Sequence, residues 1–182
     1  MNQEILDLAH QAIEAKFNQN TPPSKQTLTQ QHQEFSQPQA TFVTITLDGN
    51  LRGCIGSLVA HRDLYDDLIS NAQNAAFSDP RFPPLGHEEF EKVDIEVSLL
   101  TQAKPLMYEN IQDLKSKIKT GHHGVILKLN NAQATFLPQV WEQLPTFEQF
   151  FAHLCQKARL NEKCLEQHPE IFTYEVQKVQ SQ

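Results

Sequence analysis

The stretch "TFVTITLDGNLRGCIG", residues 41–56, constrains the fold more than any other. Its first arm alternates, with Val43, Ile45 and Leu47 on one face and Phe42, Thr44 and Thr46 on the other. That is the period of a half-buried strand. Asp48-Gly49 then supplies residues that tolerate positive φ, and a second arm follows. The segment therefore predicts a β-hairpin, and with it an antiparallel sheet. Two registers compete. A two-residue Asp48-Gly49 turn pairs Leu47 with Asn50 and mixes polar with apolar partners. A three-residue loop, Asp48-Gly49-Asn50, pairs Leu47 with Leu51, Ile45 with Gly53 and Val43 with Ile55. Only this second register gives both arms one apolar face, and a one-residue slip would turn that face over. It is the register chosen, and it puts Arg52 and Cys54 together on the opposite face.

Other segments extend the pattern. "VDIEVSLL" alternates cleanly, with Val93, Ile95, Val97 and Leu99 on one side. "GVILKLNNAQATFLP" reads as a hairpin turning at Asn130-Asn131, and "EIFTYEVQKV" as a closing strand. Apolar residues near a 3.6 period predict helices over residues 1–18, 62–77, 110–119 and 146–160. The Pro- and Gln-rich residues 19–40 read as a surface loop, and "SDPRFPPLG" as an ordered extended path stiffened by three prolines. Strands and helices do not alternate regularly, and hairpin links are short. The fold class is therefore α+β, a mostly antiparallel sheet flanked by helices. The 182 residues fit one domain.

Charge and cysteine usage exclude several functions. A net charge of −7 opposes duplex nucleic acid or an anionic membrane as the main partner. No segment approaches the roughly 20 apolar residues of a membrane span. Residues 1–20 lack the basic start and apolar run of a signal peptide. Cys54, Cys155 and Cys164 show no CxxC spacing, so neither a disulfide nor a structural zinc site is expected. Cys155 reads as helix packing, Cys164 has no recognisable partner, and the expected location is the cytoplasm. With no Gly-rich phosphate loop or metal-spaced cluster, the cofactor is left unassigned.

The chemistry-bearing residues gather around the hairpin. Same-face neighbours two residues apart lie about 7 Å apart, so Arg52 can reach toward Cys54. A nearby guanidinium favours the nucleophilic thiolate. Gly53 and Gly56 remove side chains on either side, admitting a ligand or another backbone. Asp79 and Arg81, on the proline-stiffened loop, can hold an anionic substrate group or pin the loop. Glu96 is a candidate general base if its strand neighbours Cys54. In "GHHG", His122 and His123 point in opposite directions and make a poor metal pair, while His123 can act as base or hydrogen-bond donor to a ligand. An inert, buried cysteine packed under a helix is the alternative reading of Cys54.

Four ordered blocks carry a resemblance. "LRGCIGSL" (51–58), "NAQNAAFSDPRFPPL" (71–85), "DIEVSLL" (94–100) and "ATFLPQVWEQLP" (134–145) together resemble the AMMECR domain family, called AmmeMemoRadiSam system protein A in prokaryotes. The resemblance covers roughly residues 40–160. It implies an α+β fold of two unequal lobes with a cleft between them. It also implies association with a Memo-like protein and a radical-SAM protein, without fixing a reaction. The resulting expectation is thiol-dependent group transfer, with Cys54 as nucleophile or group carrier, Arg52 and Glu96 supporting it, and Gly53, Gly56, Asp79, Arg81 and His123 binding an unknown small molecule. The alternative is a non-catalytic adaptor, whose "RGCIG" strand and "DPRFPP" loop form a recognition surface.

Overall fold

A computed structural model describes residues 1–181 as an α+β chain of two compact units. The first comprises Met1–Leu100 and the C-terminal strand from Gln177; the second is Thr101–Val176.

In the first unit, strands β1 (Ala40–Leu47), β2 (Asn50–Gly56), β3 (Val93–Leu100) and β8 (Val176–Gln180) form a sheet in the order β2-β1-β3-β8. Helices α1 (Asn2–Asn18) and α3 (Leu64–Phe77) cover one face. Val43, Ile45 and Val97 bury their side chains there against Ile5, Leu8 and Ile13 of α1 and Leu68, Ala72 and Ala75 of α3. The alanine stripe of α3 lets its backbone come so close that a Cβ on Gly53 would lie 2.1 Å from the Ala75 carbonyl oxygen.

The helix is also locked to β1 by polar groups. Asp67 is fully buried and accepts from Thr41 N (2.8 Å), Thr41 Oγ1 (2.7 Å), Asn71 Nδ2 (3.0 Å), Ser57 Oγ (2.8 Å) and Arg62 Nη2 (2.8 Å). Such saturation offsets the desolvation of a buried carboxylate.

The hairpin register departs from expectation at its tip. Leu47 pairs with Asn50 across a two-residue Asp48-Gly49 turn, with φ of 51° and 77°, while Ile45 still pairs with Gly53 and Val43 with Ile55. The registers that seemed exclusive coexist because the pairing skips Arg52. Thr46 opposes Leu51 and Ile45 opposes Gly53, a β-bulge that absorbs the odd residue. The tight turn is satisfied locally, and the bulge restores the apolar face.

Residues 19–40 are more ordered than a surface loop. They form α2 (Lys25–Gln31) and a 3-10 turn, Gln33–Ser36, that buries Phe35 completely. A short helix α4 (His87–Phe90) precedes β3.

In the second unit, β4 (Lys104–Pro105), β7 (Glu170–Tyr174), β5 (Gly124–Leu129) and β6 (Ala132–Phe136) form a sheet in the order β4-β7-β5-β6. The β5–β6 hairpin turns at Asn130-Asn131, with Asn130 at φ 54°. Helices α5 (Ile111–Lys117) and α6 (Phe147–Lys157) complete this unit. Trp141 stacks on Phe150 of α6 at 3.7 Å. The closing segment is two strands, not one: it breaks at Glu175, and β7 and β8 belong to different sheets.

Cys155 and Cys164 form a disulfide, with Cα atoms 5.9 Å apart, which corrects the reading of both as reduced. A left-handed turn at Arg159 (φ 62°) follows α6 and a 3-10 turn then begins at Cys164. Two cysteines nine residues apart thus meet without any short-spacing motif.

Candidate active site

Cys54 is the free cysteine of the chain and lies half-buried on β2, the outermost strand of its sheet. An edge strand presents unpaired N–H and C=O groups that must find partners. At Cys54 the Asp79-Arg81 loop supplies both. Asp79 Oδ2 accepts the Cys54 N–H at 3.0 Å, and Arg81 Nη2 donates to the Cys54 carbonyl at 3.4 Å. Two side chains thereby replace a neighbouring strand.

This edge bonding sets the position of the thiol. With both backbone groups of Cys54 pointing away from β1, Cys54 and its partner Thr44 form a pair without hydrogen bonds between their backbones. In such pairs the side chains stand closer together. Cys54 Sγ accordingly lies 3.4 Å from Thr44 Oγ1.

Asp79 and Arg81 are also bound to each other. Arg81 donates from Nε to Asp79 Oδ1 (3.1 Å) and from Nη2 to Asp79 Oδ2 (2.8 Å), and its backbone N–H adds a third bond (3.0 Å). The Asp79 side chain is 2% exposed and that of Arg81 56%. The Arg81 bonds, followed by the N–H of Cys54, hold the Asp79 carboxyl well below the usual carboxylate range, against the opposing effect of burial. Asp79 in turn raises Arg81, its bonds outweighing the opposing effect of burial. Arg81 is thus the cation bonded to the Cys54 backbone.

Arg52 is engaged elsewhere. At the bulge it donates from Nε and Nη2 to Glu89 of α4 (2.8 and 3.1 Å) and from Nη2 to the Pro84 carbonyl (3.4 Å). Arg52 and the Gly86 N–H together lower the Glu89 carboxyl. This arginine ties β2 to the far end of the loop that carries Asp79 and Arg81.

Glu96 does not neighbour Cys54 directly, because β1 lies between β2 and β3. Thr44 pairs with Cys54 on one side and Glu96 on the other, so Cys54, Thr44 and Glu96 form one row across the sheet. Two strand spacings separate the ends of that row by about 10 Å. Lys178 of β8 lies 3.6 Å from Glu96.

The two glycines have packing roles. Gly53 admits the α3 backbone at Ala75, and a Cβ on Gly56 would fall 2.1 Å from the Phe42 ring. His123 belongs to the second unit, where its Nδ1 accepts the Lys119 N–H at 3.0 Å and its carbonyl accepts Trp141 Nε1–H at 2.9 Å. Among the described residues no group of three or more His, Cys, Asp or Glu side chains could hold a metal ion.

Sequence reasoning missed the Glu89 partner of Arg52 and the buried Asp67 network. Glu89 carried no signal beyond lying in an acidic run. Asp67 did carry one, since it interrupts the apolar side of α3 between Leu64 and Leu68.

The chain has relatives among known proteins. The family model described as AMMECR1 matches residues 6–179. A Methanothermobacter thermautotrophicus protein is 40% identical over 148 residues, covering 79% of this chain and 74% of its own length. A Methanosarcina barkeri protein is 36% identical over 156 residues, covering 84% and 76%. The crystal structure of an uncharacterized Pyrococcus horikoshii protein superimposes with a TM-score of 0.81 at 30% identity, covering 97% of this chain and 89% of that one. No helix among the described residues is long and apolar enough to cross a membrane.

Proposed function

The chain belongs to the AMMECR1 family, and we propose that it performs thiol-dependent group transfer with Cys54 as the nucleophile or transient carrier. The observation carrying this reading is that both backbone groups of Cys54 are clamped by Asp79 and Arg81 while its Sγ meets Thr44 Oγ1 on a half-buried face. Clamping both groups fixes the direction of attack, and a positioned nucleophile gains much of its rate from orientation.

The step balances simply. The Cys54 thiol gives up its proton to solvent at the half-buried face, because Glu96 stands across Thr44, beyond hydrogen-bond reach, and is turned toward Lys178. Sγ bonds to the electrophilic atom of the substrate, and the bond to the leaving group breaks with its electron pair. An acceptor nucleophile then takes the group from sulfur and restores the thiol. Arg81, exposed and bonded to the Cys54 carbonyl, holds an anionic portion of the substrate, and Asp79 aims Arg81. Arg52 acts as a positioning residue through Glu89, and Gly53 and Gly56 seat the strand.

Resemblance supports a modification pathway shared with a Memo-like protein and a radical-SAM protein in the cytoplasm. There Cys54 stays a thiol, while the Cys155–Cys164 bond is screened from reductants by its burial.

Alkylation of Cys54 by iodoacetamide, followed by peptide mass spectrometry, tests the reading. The folded protein should react faster than its urea-unfolded chain, and Thr44→Val should remove that advantage. Slower reaction in the folded protein would overturn it.

A second reading has its own support. Arg81, Pro83 and Pro84 are exposed on a loop anchored at both ends, by Asp79 and by Arg52, and form a stiff surface suited to an adaptor. Stable capture of a partner that survives Cys54→Ala, without turnover, would favour it.

A further inference from the structure

His123 lies on a cavity that the thiol chemistry does not use. The cavity has a volume of about 490 Å³ and is lined by residues of the second unit, among them Gln102, Lys104, His123, Thr173 and Glu175. Its size falls within the ~300–1,000 Å³ usual for small-molecule sites.

The histidine is fixed from two directions. Because Nδ1 accepts the Lys119 N–H, the ring is neutral and carries its proton on Nε2. Burial, with Lys119 adding, lowers its pKa and agrees with that state. The Trp141 bond to the His123 carbonyl holds the backbone, and the next residue, Gly124, has no side chain where the Tyr174 ring packs. Nε2–H is the hydrogen-bonding group left over.

The charges around it are complementary but unused. Among the described residues Lys104 forms no ion pair or side-chain hydrogen bond, and neither does the Glu175 carboxylate. Glu175 is held in place through its backbone, donating to Thr101 Oγ1 (2.8 Å) and accepting from Thr101 N (2.9 Å). One cavity thus offers an ammonium, a carboxylate and a fixed imidazole donor. A partner satisfying all three carries both a carboxylate and an ammonium.

We infer that this cavity binds a free α-amino acid. The ligand carboxylate meets Lys104 Nζ and His123 Nε2–H, its ammonium meets Glu175, and the Thr173 hydroxyl and Gln102 amide are the polar groups available to its side chain. Charge-assisted bonds of both signs distinguish a zwitterion from either ion alone.

The test is an NMR titration of the whole protein with proteinogenic amino acids, one at a time at millimolar concentration, read at the His123 imidazole. At least one amino acid should shift that resonance saturably, and its N-acetyl and amide derivatives should bind at least about tenfold more weakly. Lys104→Met and Glu175→Gln, both at exposed positions, should each abolish the shift at an unchanged unfolding temperature. Absence of a saturable shift with every amino acid would overturn the inference. Equal response to the blocked derivatives, or a response surviving in both variants, would do the same.

Discussion

Asp79 Oδ2 accepts the backbone N–H of Cys54 at 3.0 Å, so a loop carboxylate stands where a neighbouring strand would supply a carbonyl. Arg81 completes the imitation at the Cys54 carbonyl. The relationship joins a fold requirement, covering a sheet edge, to the placing of a nucleophile.

Asp79→Asn should destabilise the first unit by about 2–3 kcal/mol at pH 7, since it weakens charge-assisted bonds and disturbs a buried N–H. The pH dependence has a definite sign. A carboxyl whose folded pKa is depressed contributes stability above its unfolded value of about 4, and that contribution is lost as pH falls through the folded value. Urea melts between neutral and strongly acidic pH should show this loss in the parent protein, with a smaller slope below about pH 4 in the variant.

Arg81 and Arg52 should separate in thiol chemistry. Arg81→Ala should slow alkylation of Cys54 severalfold, because the bond that holds the Cys54 carbonyl, and with it the direction of the thiol, disappears. Arg52→Ala should change it little, while lowering stability through Glu89, left unpaired. Equal effects on alkylation would contradict the geometry.

Glycine replacements should rank by what a new Cβ meets. Gly53→Ala drives a methyl into the α3 backbone and should cost about 3 kcal/mol. Gly56→Ala meets Phe42 at Cγ, so the whole side chain must swing about χ1, but no backbone blocks the new methyl and it should cost less. Gly49→Ala meets open space but must hold φ 77°, for about 1–2 kcal/mol. Unfolding midpoints of the three variants check the order.

The Cys155–Cys164 bond should appear as a linked peptide pair in non-reducing mass spectrometry. Opening its nine-residue span by Cys164→Ala should cost the second unit about 2.5 kcal/mol. A parent protein containing three free thiols would remove this expectation.

Much of the architecture was legible along the chain. Alternation in residues 41–47 and 93–100 marked strands, helical periodicity marked α1, α3 and α6, and the four ordered blocks carried the family. The pairings Ile45–Gly53 and Val43–Ile55 followed from the need for one apolar face. Periodicity is a property of neighbouring residues, so it can be read without knowing what lies opposite.

The site depended on what lies opposite. Arg52 left the thiol because a bulge resolved two competing registers, and Glu89, thirty-seven residues away, offered it a carboxylate. Arg81 took its place because β2 was an edge strand needing cover, which no local pattern announces. The last segment split at Glu175 because its halves found different sheets to pair with. Cys155 met Cys164 because a left-handed turn folded the chain back. By itself the sequence determined which residues form strands and helices, since local sterics and burial periodicity act within a few residues. Tertiary structure alone decided which charge faces which, because hydrogen bonds and ion pairs are made between segments distant in the chain.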